Sequence, residues 1–286
     1  MPEGTVAGPH GSLYYRIVGG ADAVPLLVIH GGPGMPHDYL RDLDGLADAR
    51  PVVYYDQLGC GRSDRPDDEG LWTVEAFADS IDTVRDALGL DRVHLVGQSA
   101  GGWIALEYAL RGPAGLASLQ LANTCASIPL FERGVARLRT ALPGGAGAVI
   151  NACESAGVTT DPEYLAAVGL FSRLHFSGTD DLPGHVLVAL RDMNPAIYEA
   201  MVGTGLTFTG TMAGWDVTDR LGQLELPVLV TSGRFDEMAP EVVRDMADAI
   251  PGAQVVIFEQ SAHLPMVTEK AKFLDVVRAF LDNLGA

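Results

Sequence analysis

Cysteine is scarce in this chain of 286 residues: Cys60, Cys125 and Cys153 are three, far apart and odd in number. Such a set makes neither a disulfide framework nor a zinc site, and a reducing cytoplasm is the expected compartment. No apolar run approaches the roughly 18 residues that a membrane-spanning helix needs. The opening residues Met1-Pro2-Glu3-Gly4-Thr5 carry neither the basic nor the apolar segment of a secretory signal. Positive charge is also scarce. Lys and Arg number 19 against 37 Asp and Glu, giving a formal net charge of −18 at pH 7. Nucleic-acid binding depends on a cationic surface that displaces counterions, so that class is excluded. The acidity is read as a solubility device, with weak steering of a cationic substrate or a basic partner as the functional alternative. The sequence shows no internal repeat, low-complexity segment or metal-ligand cluster.

What the chain does have is an apolar content of 48%, enough for a sizeable core. Continuous apolar runs at 26–29 and 52–55 read as strands covered on both faces, 92–96 and 116–122 read as further buried strands, and strands return at 228–231 and 255–258. Residues 13–18 alternate loosely, as an edge or antiparallel strand does. Helical spacing covers 73–88, with Val74, Phe77, Ile81, Val84 and Leu88 on one stripe and Gly89 as its stop. Further helices are predicted at 102–110, 240–249 and 270–284. Between Cys125 and Trp215 helical segments dominate, at 131–141, 146–155, 162–176 and 185–193. The pattern predicts an α/β fold with a mostly parallel central sheet flanked by helices, built from residues 1–124 and 216–286 and interrupted by a helical cap at 125–215. A cap of this kind sits over the carboxyl ends of the strands, where ligands bind in open α/β sheets.

Gly97-Gln98-Ser99-Ala100-Gly101 lies between a predicted strand and a predicted helix. In that context G-x-S-x-G is a nucleophile elbow: a sharp turn holds the serine in a strained backbone conformation that flanking side chains would obstruct. A serine hydroxyl is a weak nucleophile at neutral pH. It needs a general base, and the base needs an orienting carboxylate. Asp236 follows the strand at 228–231 and His263 the strand at 255–258, which places both on the same rim as Ser99. Of the seven histidines only His175, His185 and His263 follow the serine, and the first two fall in the insertion. Glu237 adjoins Asp236 and competes with it.

The oxyanion needs two aimed backbone N–H groups. One is assigned to Ala100. The other is assigned to Gly32 of the loop His30-Gly31-Gly32-Pro33-Gly34, with Gly31 as the competitor and His30 as a loop organiser. The loop Asp56-Gln57-Leu58-Gly59-Cys60-Gly61-Arg62-Ser63-Asp64 has a Gly-x-Gly spacing but lacks the third glycine of a dinucleotide fingerprint, and no clear helix begins at it. No cofactor is expected there; the loop is read as support beneath the site. Cys60 has no histidine implied beside it and is not taken as a nucleophile.

The segments His30-Gly31-Gly32-Pro33-Gly34, Asp56-Gln57-x-Gly59-x-Gly61-x-Ser63, Gly97-x-Ser99-x-Gly101-Gly102, Gly233-x-x-Asp236-Glu237 and Ser261-x-His263 together resemble the proline iminopeptidases. These are serine aminopeptidases of the α/β-hydrolase fold, related to the tricorn-interacting peptidases. The resemblance spans residues 10–284 and includes Trp215-Asp216-Val217-Thr218-Asp219, where the insertion rejoins the core. It implies an acyl-enzyme hydrolase that releases an N-terminal aminoacyl residue, often proline, from a short peptide or amide. In that family glutamates bind the substrate's amino group. Glu237 matches the one that follows the triad aspartate.

A second family glutamate lies in the insertion, before a Phe-Thr-x-Thr-Gly-like segment. Its place is held here by Gly205, with Glu199 nearby but out of register. This departure implies looser amine recognition, or a substrate with an unusual aminoacyl group or a long apolar acyl portion. Some members resembling this chain remove a terminal aminoacyl group from intermediates of actinobacterial natural-product pathways, and the Ala- and Gly-rich, Lys-poor composition suits a high-GC genome. Phe171, Phe176, Phe208 and Trp215 are candidate pocket lining, with core packing as the alternative. Two rival functions stand beside this one: an esterase or thioesterase on a neutral acyl substrate, and an α/β-hydrolase-like receptor that binds a ligand without turnover. A serine at 99 excludes the aspartate-nucleophile dehalogenases and epoxide hydrolases.

Overall fold

Apolar runs without alternation need cover on both faces, and the chain supplies a helix after most of them. A computed structural model describes residues 2–203 and 207–284. Among these, one eight-stranded sheet comprises β1 (Glu3–Gly8), β2 (Gly11–Val18), β3 (Leu26–Ile29), β4 (Val52–Tyr55), β5 (Val93–Gln98), β6 (Leu116–Ala122), β7 (Val228–Gly233) and β8 (Gln254–Phe258). Their spatial order is β1-β2-β4-β3-β5-β6-β7-β8. β1 with β2 and β2 with β4 are antiparallel; the other pairings are parallel. The helices are α1 (Val74–Leu88), α2 (Ala100–Ala109), α3 (Ile128–Ala141), α4 (Ala146–Ala156), α5 (Pro162–Ser172), α6 (Gly184–Arg191), α7 (Pro195–Met201), α8 (Pro240–Asp248), α9 (Pro265–Thr268) and α10 (Lys270–Asp282). This is the α/β-hydrolase fold. Among the described residues no helix is long and apolar enough to cross a membrane.

Every residue of β3, β4 and β5 is buried, which is why β3 and β4 run apolar rather than alternate, while β5 also buries His94 and Gln98. β1 is a different case. Only Val6 of its six residues is buried, so its pairing comes from the turn into β2 and not from an apolar pattern. α1 begins where the Thr73 side chain accepts the Ala76 N–H and stops at Gly89, whose φ of 66° suits glycine. α2 is buried on nearly all sides and forms the central helix behind the elbow.

The helices α3 to α7 lie between β6 and β7 in the chain. The two strands of chain that lead into and out of this insertion are clipped together. Ile128 N–H donates to Trp215 O and Val217 N–H to Ala126 O, both at 2.9 Å, and Ser127 Oγ donates to Asp216 at 2.7 Å. Ser127 also caps α3 by accepting the Leu130 N–H, so that helix starts three residues before the apolar spacing at 131 suggests. The helix predicted over 162–176 divides: α5 ends at Ser172, and a π-helical turn, Arg173–Ser177, follows and is closed by Gly178 at φ 67°. α7 and a 3-10 stretch at His37–Leu46 were not anticipated, being too short or too polar to show a 3.6 period.

Candidate active site

Ser99 closes β5 and opens α2 with φ 57° and ψ −128°, a strained conformation for a residue with a side chain. Its N–H donates to Ala122 O at 3.0 Å, and its carbonyl accepts the Gly102 N–H at 2.8 Å. The loop after β3 presses directly on this turn. A Cβ at Gly31 would stand 2.6 Å from Gln98 O and 2.8 Å from Ser99 Cβ, so the approach requires glycine.

Asp236 and His263 follow the ends of β7 and β8 and meet each other. His263 Nδ1 donates to Asp236 Oδ1 at 2.7 Å, and both residues are at most 1% exposed. The carboxylate is held on every side. Its Oδ2 accepts from Asn123 Nδ2 at 2.6 Å and Ser232 Oγ at 2.9 Å, and Oδ1 also accepts the Met238 N–H at 3.0 Å. Burial alone would lower the imidazole pKa, but Asp236 and Glu237 outweigh it and raise it above the ordinary value. The insertion braces these loops: His263 N–H donates to Phe176 O and Glu237 N–H to His175 O, each at 3.0 Å, and the Phe176 ring lies 5.3 Å from the imidazole. The π-helical turn is thus the piece of the insertion that docks on the two loops.

Ser99, Gly32, Glu237 and His263 all line a cavity of about 740 Å³. Met35, Phe176, Leu182, Leu190 and Met193 supply much of its apolar wall, with the solvent-exposed Arg173 and Asp180 also on it. A smaller pocket of about 40 Å³ also borders Ser99, walled by Trp103, Phe131, Tyr198, Phe208 and Glu237. Its rings interlock edge to face, Trp103 with Phe208 at 5.7 Å and Phe131 with Phe208 at 5.6 Å. Glu237 is the one carboxylate among the described residues that wall this pocket. Burial drives its pKa up to about 7, His263 opposes the rise and Asp236 adds to it.

The two glycines of the His30 loop are in different situations. Gly31 N–H donates to Tyr39 OH at 2.7 Å, Tyr39 OH donates to Gln98 Oε1 at 2.6 Å, and Gln98 Nε2 donates to His263 O at 3.2 Å. Gly31 N–H is therefore engaged, while Gly32 lines both pockets. Ala100 N lies 3.1 Å from where a Cβ on Gly31 would stand, so the start of α2 faces this loop. His30 is fully buried, and burial pushes its pKa down to about 4. Its Nε2 accepts the Gln57 N–H at 2.9 Å and its Nδ1 faces Gly31 O at 3.2 Å, which makes it a neutral tie between two loops. Asp56 accepts from the His37 N–H at 2.9 Å, His37 Nδ1 at 2.7 Å and the Arg62 N–H at 2.9 Å. Burial would raise its pKa, but His37 and these donors hold it at about 2. Burial lifts the Cys60 thiol far above its ordinary pKa, so no thiolate forms there.

Of the four aromatic candidates, Phe176 lines the large cavity and Phe208 the small one. Phe171 is 1% exposed and packs in the core against the His175 ring. Trp215 lines neither of these two pockets; its carbonyl accepts the Ile128 N–H at the neck and its ring lies 6.5 Å from that of Trp103. Glu199 is exposed on α7, and Gly205 lies outside the described residues. Four residues escaped the sequence reading: Tyr39, Gln98, Asn123 and Ser232. Asn123, directly after β6, takes φ 52°, a conformation asparagine tolerates.

Residues 24–270 match the α/β hydrolase fold family. The chain is 41% identical over 275 residues to a proline iminopeptidase of Lactobacillus delbrueckii subsp. lactis, with 94% of each chain covered. It is 35% identical over 279 residues to one of Saccharolobus solfataricus, covering 96% of this chain and 90% of that one. Among solved structures it resembles the proline iminopeptidase of Mycobacterium smegmatis (TM-score 0.93, 35% identity, 99% of this chain and 98% of that one). VinJ is equally similar in shape, with a TM-score of 0.94, 34% identity and 99% of both chains covered. With this site on this fold, and with that identity sustained over nearly the whole chain, the protein belongs to the proline iminopeptidase family of α/β hydrolases.

Proposed function

We propose that the protein is a serine aminopeptidase that releases an N-terminal aminoacyl residue, proline or another small apolar one, from a peptide or amide through an acyl-enzyme. The observation that carries this is Glu237, a largely buried carboxylate set among aromatic rings in the pocket beside Ser99. A substrate ammonium would give that carboxylate a partner, whereas a neutral acyl group would leave it unpaired. The names of the relatives, proline iminopeptidases in two prokaryotes, support the same activity.

In this scheme Ser99 Oγ attacks the carbonyl while His263 Nε2 takes its proton, and Asp236 fixes the imidazole tautomer through Nδ1. The Gly32 and Ala100 N–H groups stabilise the oxyanion. His263 then protonates the leaving amine, and water hydrolyses the acyl-enzyme by the same relay. The small aromatic pocket takes the aminoacyl residue, and the large cavity takes the leaving portion. Residues 125–215 act as a cap that supplies Phe131, Tyr198 and Phe208 to the first and Phe176 to the second. A cytoplasmic location accords with the cysteine usage.

A panel of aminoacyl-naphthylamides, each paired with its N-acetylated counterpart, tests the proposal. The free-amine member of each pair should be cleaved at least about 100-fold faster in kcat/KM, the scale of one buried charge contact. Equal rates on both members would point to an esterase or thioesterase of neutral acyl groups instead.

A further inference from the structure

His263 stands between two carboxylates. Asp236 Oδ1 is 2.7 Å from Nδ1, and Glu237 Oε1 is 3.7 Å from Nε2 on the opposite side of the ring. The second contact falls on the nitrogen that must receive the Ser99 proton. Both partners are sheltered, the imidazole at 1% exposure and the Glu237 side chain at 17%. The other neighbours do not balance this charge. Phe176 covers the ring face. Tyr198 on α7 feels Glu237, and burial keeps its phenol protonated. His175 offers Glu237 its backbone carbonyl and turns its own Nδ1 to Phe235 O at 2.9 Å. Arg173, on the same cavity, is half-exposed and lies 3.9 Å from Asp180. Among the described residues, the charges acting on Glu237 come from His263 and Asp236.

Two anions on one imidazole stabilise its protonated form, and an imidazolium is no base. Glu237 and His263 are close enough to titrate as a unit that retains a proton near neutrality.

We propose that the substrate's own ammonium switches on the general base: by pairing with Glu237 it releases the proton held by the Glu237–His263 pair and frees Nε2 to accept the Ser99 proton. This rests on Glu237 being the amine anchor, and it adds that the amine governs the chemical step as well as affinity. The proton balance is simple. One proton leaves the pair to solvent when substrate binds. The Ser99 proton passes to Nε2 as the Oγ–C bond forms, and goes out on the leaving amine as the C–N bond breaks. The ammonium belongs to the acyl half, so it stays at Glu237 while water hydrolyses the ester and departs only with the released amino acid. A neutral acyl group leaves Glu237 uncompensated and the base protonated, and is therefore rejected at the step of bond making.

The test compares proline benzyl ester with cyclopentanecarboxylic acid benzyl ester, in which carbon replaces the amine nitrogen. Their pH profiles separate the free enzyme (kcat/KM) from the substrate complex (kcat). For the prolyl ester, the acid limb of kcat should lie about one pH unit or more below that of kcat/KM, while for the carbon isostere the two limbs should coincide. Glu237→Gln should move the kcat/KM limb on the isostere down by about one pH unit, since it deletes the same charge. Coincident limbs for the prolyl ester, or an unmoved limb in Glu237→Gln, would overturn the switch. If the prolyl ester is preferred through KM alone with coincident limbs, the anchor stands and the switch falls. If the two esters react equally well at every pH, the anchor falls and the switch with it.

Discussion

Tyr39→Phe removes a single oxygen from a buried residue at the wall of the large cavity. The ring stays, so no large cavity forms, but the Gly31 N–H loses its acceptor and Gln98 Oε1 loses its donor. Each buried polar group left unpaired costs about 1–3 kcal/mol, so the pair should cost about 2–4 kcal/mol after local relaxation. In a chain of this size each kcal/mol shifts the melting temperature by about 2–4 °C, which puts the expected fall at about 4–16 °C. The effect on turnover has a separate origin. One hydroxyl joins the loop that carries Gly32 to the elbow, and through Gln98 Nε2 the elbow is joined to the carbonyl of His263. Complete loss of an oxyanion donor costs 10²–10³ in kcat, so a loosened loop should cost about 10- to 100-fold, with KM within about threefold. Thermal unfolding and steady-state kinetics on a free-amine amide measure both effects. Gln98→Met removes the Tyr39–Gln98 bond from the other end and the Gln98–His263 bond with it, so the double variant should lose less than the sum of the singles by the worth of the one shared bond. A Tyr39→Phe enzyme that melts within about 1 °C of wild type with kcat unchanged would refute the linkage, as would strictly additive losses.

Asp236→Asn keeps the side-chain shape but exchanges an acceptor of the His263 proton for an amide. The expected outcome is a fall in kcat of about 10⁴-fold, read against the same amide substrate, with KM little altered. Gly101→Ala tests the packing of α2 against β3. A Cβ there would collide with the carbonyl oxygens of Ile29 and His30, so the variant should lose soluble yield or melt more than about 10 °C lower, whereas Gly222→Ala, with open space around it, should leave both unchanged.

Much of the fold was legible because its signals are local. Buried parallel strands announce themselves as short apolar runs, and α1 is bracketed by Thr73 and Gly89, whose cap chemistry can be read without coordinates. The candidate site was legible for a related reason: Ser99, Asp236 and His263 each sit just beyond a strand, and a parallel sheet gathers such positions on one rim. What escaped is non-local. The partnership of Tyr39 with Gly31 depends on a polar 3-10 stretch that carries no periodic mark, and it helps distinguish the two glycines of the loop. Asn123 and Ser232 matter only because two neighbouring strands bring them to one carboxylate. The π-helical turn breaks a run whose composition reads as one continuous helix. Trp215 was a lining candidate as an aromatic of the insertion, and its backbone is held at the neck where that insertion rejoins the core.

Covalent labelling followed by peptide mapping probes the proposed nucleophile most directly. An aminoacyl phosphonate should inactivate the enzyme with time and place one adduct on the peptide that carries Ser99, and Ser99→Ala should neither take the label nor retain measurable aminopeptidase turnover. An adduct on any other residue, or a Ser99→Ala enzyme that keeps most of its activity, would contradict it.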